Sequence, residues 1–83
     1  MKWTAIWAEK AVRQLSKLPK TDARRILLKT DDVEADPFAH LERLASSSLY
    51  KFRVGRYRII VSAVNRKLVL HIVMVKKRSR VYS

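Results

Sequence analysis

A short hairpin signature decides the fold of this chain: residues 49–61 have the sequence LYKFRVGRYRIIV. Apolar and polar side chains alternate with period two on both sides of Gly55-Arg56, which is typical of two strands joined by a tight turn. Glycine at the first turn position supplies the positive φ that a type II′ turn requires. The segment therefore predicts an antiparallel hairpin in which Arg53 lies directly opposite Arg58.

Strand-like alternation continues on both sides of this hairpin. Residues 68–75 alternate again and predict a third strand after a turn at Asn65-Arg66. Residues 3–7 predict a short first strand, and a further short strand is expected near Val81. The inner face of the sheet is predicted to carry the side chains of Tyr50, Phe52, Val54, Tyr57, Ile59, Val61, Leu70 and Ile72.

Helical spacing of apolar residues marks the segment between the first strand and the hairpin. It predicts one helix over residues 8–18, which Pro19 ends, and a second over residues 22–33. Asp36-Pro37 is predicted to cap a short helical turn that runs to Leu44. We therefore predict an α+β fold of order β-α-α-β-β-β, with the N-terminal strand and a helical hairpin packed on one face of a twisted antiparallel β-meander.

The composition indicates one basic domain over residues 1–83. The chain carries 19 Lys or Arg against 7 Asp or Glu, a formal net charge of +12. No acidic residue occurs after Glu42, so residues 43–83 hold almost all of the excess positive charge. Uncompensated charge of one sign repels itself, and this half of the chain is therefore expected to bind a polyanion.

The same composition excludes several classes of site. The chain has no cysteine, so disulfides, thiolate metal sites and cysteine nucleophiles are ruled out. His40 has no partner at metal-ligand spacing, and we predict neither a metal nor a cofactor. No apolar run approaches the length of about 20 residues that spans a bilayer, and we expect a cytoplasmic protein that does not contact membranes.

Two basic clusters are predicted to converge on the sheet face that the helices leave open. Arg53 faces Arg58, with Lys51 two residues along the first hairpin strand. Extending the register through the second turn places Val73 opposite Arg58, so the basic tail would emerge beside this pair. Guanidinium forks match phosphate oxygens, which makes phosphate the expected ligand. The tail supplies Lys76, Lys77, Arg78 and Arg80.

Plainer explanations exist for each of these features. The three hairpin cations could form the solvated face of a half-exposed sheet, and a basic tail is often a non-specific nucleic-acid arm. His71, predicted opposite Ile60, could be a general base, although a histidine satisfied within the sheet is the simpler interpretation. Trp3 and Trp7 share a strand face and are expected in the core.

The hairpin LYKFRVGRYRIIV together with VKKRSRVY over residues 75–82 resembles the RelE/ParE toxin superfamily. The resemblance covers essentially the whole chain and implies a RelE-like fold. It implies a catalytic set of Lys51, Arg53, Arg58, Arg78 and Tyr82, which would hold the scissile phosphate, activate the nucleophile and assist the leaving group. Further RNA contacts are expected from Arg56, Lys76, Lys77 and Arg80.

What the resemblance implies about function is a type II toxin that cleaves ribosome-bound mRNA. An RNA 2′-hydroxyl would attack the adjacent phosphate, and an acidic RelB-like antitoxin would neutralise the toxin in a hetero-oligomer. Two alternatives stay open: a ParE-like gyrase inhibitor without nuclease activity, and a basic nucleic-acid-binding domain without catalysis.

Overall fold

The computed structural model of the chain describes residues 2–77. The elements within residues 2–77 are β1 (Thr4–Trp7), α1 (Glu9–Ser16), α2 (Lys20–Ala35), α3 (Pro37–His40), β2 (Glu42–Arg43), β3 (Tyr50–Val54), β4 (Tyr57–Val64) and β5 (Val69–Lys77). These five strands and three α-helices of the described chain have an α+β arrangement, which confirms the predicted class. The strands form one sheet in the order β1-β5-β4-β3-β2, and β3, β4 and β5 form the predicted antiparallel meander.

Two edge strands complete the sheet. β1 pairs with β5 in parallel, so the sheet is mixed, with Ala5 beside Leu70 and Trp7 beside Ile72. β2 was not predicted: the helical turn expected through Leu44 ends at His40, and the backbone becomes extended at Leu41. This extension lets the next two residues pair with β3. The strand expected near Val81 lies outside the described residues.

The first hairpin has the predicted register. Val54 pairs with Tyr57, and Arg53 pairs with Arg58. Gly55 has a φ of +58°, and a Cβ added there would meet no atom within 4 Å. Glycine is therefore required at this turn for its backbone conformation and not for space.

The second hairpin differs from the prediction. Its connection is a 3-10 turn over Asn65–Lys67, followed by Leu68 in the left-handed region at a φ of +52°. A two-residue turn at Asn65-Arg66 would need positive φ at arginine, which is unfavourable. Val64 consequently pairs with Val69, and the predicted pairs of Val73 with Arg58 and of His71 with Ile60 are wrong.

A β-bulge in β5 shifts the register once more. Ile60 pairs with Met74 whereas Val61 pairs with Ile72, so Val73 is an extra residue on β5. The extra residue exchanges the faces of the side chains that follow it. Val75 is therefore buried opposite Ile59, and Lys76 takes the open face.

The core lies between the helices and one face of the sheet, as predicted. Ala11 from α1 and Ile26 and Val33 from α2 are almost fully buried against it. Trp3 belongs to this cluster, and the partly buried Trp7 packs against it, which confirms both as core residues. The sheet contributes Phe52, Tyr57, Ile59, Val61, Leu70, Ile72 and Val75. Within residues 2–77, no helix is long and apolar enough to cross a membrane.

Two side chains from the helices accept hydrogen bonds from the backbone of β1 and β5. The Val75 backbone N–H donates to Gln14 Oε1 at 2.7 Å, and the Ala5 N–H donates to Glu34 Oε2 at 2.7 Å. β1 pairs with β5 only as far as Ile72, so Val75 lies beyond the region that β1 covers. Gln14 thus takes the place of a strand partner and ties α1 to the sheet.

Replacing Gln14 with methionine is expected to lower the free energy of unfolding by about 1 kcal/mol. The substitution keeps the length of the side chain but removes the acceptor for the Val75 N–H. Urea denaturation measures the change, and Gln14→Glu, which retains an acceptor oxygen, is the matched control. Equal losses in both variants would show that the hydrogen bond is not the cause.

Candidate phosphate-binding site

A row of three cations crosses the open face of the sheet. Arg58 on β4 pairs with Arg53 on β3 and with Lys76 on β5. Neighbouring strands lie about 4.8 Å apart, so three like charges occupy adjacent positions on one face. The only side-chain ion pair among residues 2–77 joins Arg13 to Glu9, on α1. No described carboxylate therefore compensates the row.

Arg58, in the middle of the row, carries an unmet hydrogen-bonding requirement. Its side chain is half-buried, and its Nε atom is buried without a hydrogen-bond partner among residues 2–77. A buried donor without an acceptor is costly, and so is a cation placed between two others. An anion bound on this face would relieve both costs.

Lys51 extends the cationic face along β3. It lies two residues from Arg53, is half-buried, and pairs with Ile60 on one side and Glu42 on the other. Glu42 places a carboxylate at the edge of this face, which the sequence analysis missed. Nothing in a two-residue strand with the sequence ER marks it as part of the sheet.

The remaining predicted residues divide into two groups. Arg56 lies exposed in the β3–β4 turn, and Lys77 lies exposed opposite Tyr57 at the end of β5. Arg78, Arg80 and Tyr82 lie outside the described residues, and their roles stay predictions.

His71 pairs with Ser62, four residues along β4 from Arg58. At about 3.4 Å per residue this is roughly 14 Å from the cationic row, too far to share its ligand.

A family model described as the ParE toxin of the type II toxin–antitoxin system parDE matches residues 5–82, almost the whole chain. This chain belongs to the RelE/ParE toxin superfamily. It is therefore a toxin of the type II class, as its hairpin and tail motifs predicted. No curated protein matches the chain.

Solved structures of similar toxins have the same fold. The archaeal RelE–RelB complex from Pyrococcus horikoshii contains a chain 30% identical to this toxin, with 98% of this chain and 100% of that one covered and a TM-score of 0.85. The RelBE2 complex from Mycobacterium tuberculosis matches at 20% identity over 96% and 95%, with a TM-score of 0.84. The intact E. coli RelBE complex matches at 23% identity over 94% and 99%, with a TM-score of 0.80.

A second polar feature of this toxin lies on the helix side of the hairpin. The Tyr57 hydroxyl donates to Asp22 Oδ2 at 2.8 Å, across the interface between β4 and α2. The hydrogen bond to Asp22 raises the pKa of Tyr57 above its ordinary value of 10.0, with desolvation and the Asp22 charge in the same direction and Arg56 opposing. These residues line an open depression of about 600 Å³. Tyr57 is a neutral link between sheet and helix, and the pair was not predicted.

The raised pKa of Tyr57 predicts a loss of stability at high pH. The folded toxin keeps the phenol proton at pH values where the unfolded chain, with an ordinary pKa of about 10, releases it. The stabilisation is therefore fully present below pH 10 and declines as pH rises above that value. The advantage of wild type over Tyr57→Phe in denaturant unfolding should shrink between pH 8 and pH 11. A constant difference would contradict the linkage.

Proposed function

We propose that this toxin is an endoribonuclease that cleaves mRNA on the ribosome. The observation that carries the proposal is the Arg53–Arg58–Lys76 row, with the Nε of Arg58 at its centre, buried and without a partner among residues 2–77. Planar guanidinium groups bind phosphate oxygens bidentately. A row without a described carboxylate partner suits the backbone of a nucleic acid.

The proposed reaction is a transesterification within the RNA strand. The 2′-oxygen attacks the adjacent phosphorus, the bond from phosphorus to the 5′-oxygen breaks, and a 2′,3′-cyclic phosphate forms. The proton of the 2′-hydroxyl passes to a base, and the departing 5′-oxygen takes up a proton. Negative charge on the non-bridging oxygens grows in the transition state, and fixed cations beside them lower its energy.

The toxin's residues divide this work. Arg53 and Arg58 would hold the scissile phosphate, while Lys51 adds positive field from the same face. Following the superfamily resemblance, Tyr82 would act as the general base or stack on a nucleobase, and Arg78 would act near the leaving oxygen. Arg56, Lys76, Lys77 and Arg80 would bind flanking phosphates.

We also propose an acidic antitoxin as the partner that holds this toxin inactive. The similar toxins from P. horikoshii, M. tuberculosis and E. coli are in complexes with antitoxins. A domain of charge +12 with an open cationic face needs an acidic polypeptide to mask it in the cytoplasm. The complex would be a hetero-oligomer.

The match to ParE toxins favours a second candidate, inhibition of DNA gyrase without RNA cleavage. In that case the cationic row would contact a protein or DNA, and the toxin would not cleave RNA. The two candidates make opposite predictions for a single preparation of toxin.

Primer extension on translated mRNA separates them. Wild-type toxin is expected to produce discrete stops within the translated region, whereas Arg58→Met gives none and the matched control Arg66→Met, on the exposed 3-10 turn, cuts normally. The same samples are tested for inhibition of gyrase supercoiling. Inhibition of supercoiling without primer-extension stops would establish the gyrase function. Cleavage of free RNA would show that the ribosome is not required.

A further inference from the structure

A second basic surface lies beside α2 and adjoins the cationic row at Arg53. Three open depressions on this surface share Arg25 of α2. The first, of about 600 Å³, includes Arg56; the second, of about 310 Å³, includes Lys29 and Arg53. The third, of about 330 Å³, adds two more cations of α2. We define the α2 basic surface as Lys20, Arg24, Arg25, Lys29, Arg53 and Arg56.

The charges of α2 are arranged against the stability of the helix. Its first ten residues carry four cations, Lys20, Arg24, Arg25 and Lys29, against the single acid Asp22. Its last turns carry Asp31, Asp32 and Glu34. A helix macrodipole favours the opposite order, with acids near the N-terminus and bases near the C-terminus. Lys20 with Arg24, and Arg25 with Lys29, are also like-charge pairs at spacing i, i+4, which repel. Folding alone does not account for this distribution.

Two acids adjoin the surface and leave its charge strongly positive. Asp22 accepts the hydrogen bond from Tyr57, and Asp32 lines the depression that holds Lys29. Neither forms an ion pair with a described cation, since the only such pair within residues 2–77 is on α1. Six cations thus face solvent against two carboxylates.

We propose that the α2 basic surface binds the phosphate backbone of a structured RNA that is not the cleaved strand. The inference rests on the proposed function in taking that RNA to be ribosomal. Apolar lining is confined to Leu28, Val54 and the Tyr57 ring, whereas the core of a protein interface is apolar and poor in lysine. Shallow depressions lined by Arg and Lys fit phosphates, which position a protein without reading sequence.

This arrangement gives the toxin two RNA-binding faces that meet at one residue. Arg53 belongs to the cationic row and also lines the depression with Arg25 and Lys29. RNA held on α2 would therefore fix the position of the open sheet face relative to the ribosome. The α2 cations are positioning residues, and their loss should change substrate binding more than the rate of the bound complex.

The test compares two double variants that each remove two positive charges. Arg25→Gln with Lys29→Gln alters the α2 basic surface, while Lys10→Gln with Lys17→Gln alters exposed lysines on and beside α1. Cosedimentation with ribosomes programmed with a defined mRNA is measured over a series of KCl concentrations, in an Arg58→Met background that prevents cutting. The α2 variant should bind about tenfold more weakly, with a salt slope shallower by about 1.5, and the α1 control should lose less than threefold.

Two further readouts distinguish binding from a structural role. In multiple-turnover cleavage without the Arg58 substitution, the α2 variant should raise KM about tenfold and leave kcat within twofold. Its melting temperature should equal or exceed that of wild type, because a repulsive pair has been removed. A lower melting temperature with a parallel loss of kcat would overturn the proposal.

The outcomes also separate this inference from the proposed nuclease. If wild-type toxin cuts no RNA, the comparison of ribosome affinities still tests the surface. Equal weakening by both double variants would show that only net charge matters and would overturn the proposal. The proposal would also be overturned if the α2 variant kept full ribosome affinity but no longer bound the antitoxin. The same holds if the ribosome affinity of wild-type toxin did not depend on salt.

Discussion

Replacing Arg58 with methionine is expected to slow the proposed mRNA cleavage at least 100-fold while leaving the free energy of unfolding unchanged or higher. The substitution keeps an apolar stem of similar length but removes the guanidinium at the centre of the cationic row. Loss of one preorganised charge that stabilises a transition state costs a factor of about 100 to 1,000 in rate. The folded state gains, because Arg58 lies between Arg53 and Lys76 and its Nε is buried without a described partner.

Single-turnover cleavage and urea denaturation measure these two quantities on the same preparation. Arg66→Met, the matched control, removes an equal charge from the exposed turn between β4 and β5. It should change the cleavage rate by less than twofold and the free energy of unfolding by less than about 0.5 kcal/mol. A destabilised Arg58→Met would mean that the arginine serves folding. An unchanged cleavage rate would show that Arg58 has no role in catalysis.

Replacing Phe52 with alanine is expected to destabilise the toxin by about 4 kcal/mol. Phe52 is 2% exposed, is among the largest fully buried side chains, and lies on β3 between Lys51 and Arg53. A domain of this size gains only about 5–15 kcal/mol from folding in total, so the loss removes between about a quarter and four-fifths of its stability. The melting temperature should fall by about 15–30 °C.

Phe38→Ala provides the matched control for this core substitution. Phe38 is 50% exposed and makes edge-to-face contacts with Trp3 and Tyr50 at centroid distances of 5.8 and 5.6 Å. Its removal should cost about 1 kcal/mol. Similar losses in the two variants, measured by denaturant unfolding, would contradict the burial argument.

Local sequence carries most of the information for the first hairpin. Polar and apolar residues alternate without interruption from Tyr50 to Val54, and Gly55 marks the turn by the φ that it alone adopts readily. The pairing of Arg53 with Arg58 follows from these two facts. Both features act within about ten residues, where pattern and geometry are tightly coupled.

The second hairpin could not be predicted in the same way. Most side chains in residues 68–75 are apolar, so period two does not distinguish the inner face from the outer. Leucine is an unusual residue for the left-handed conformation that Leu68 adopts, and no residue type in this segment indicates a bulge at Val73. The resulting error of three residues was enough to hide the pairing of Lys76 with Arg58.

The candidate site was predicted to the same extent as the strands that build it. Arg53 and Arg58 were placed correctly, because both lie in the well-marked hairpin. Glu42 and the Asp22–Tyr57 hydrogen bond were missed, since each depends on contacts between elements distant in sequence. The depressions around Arg25 depend likewise on how α2 packs beside the hairpin.

The bulge at Val73 makes the charge of the open face sensitive to a single codon. Gain of one residue beside Val73, with the bulge kept, would turn Lys76 toward the helices and Val75 toward solvent, with every arginine and lysine still encoded. An allele of this kind would look intact in composition, motif and net charge. Mutations that inactivate such toxins can therefore lie in the length of a strand and leave every functional residue in place.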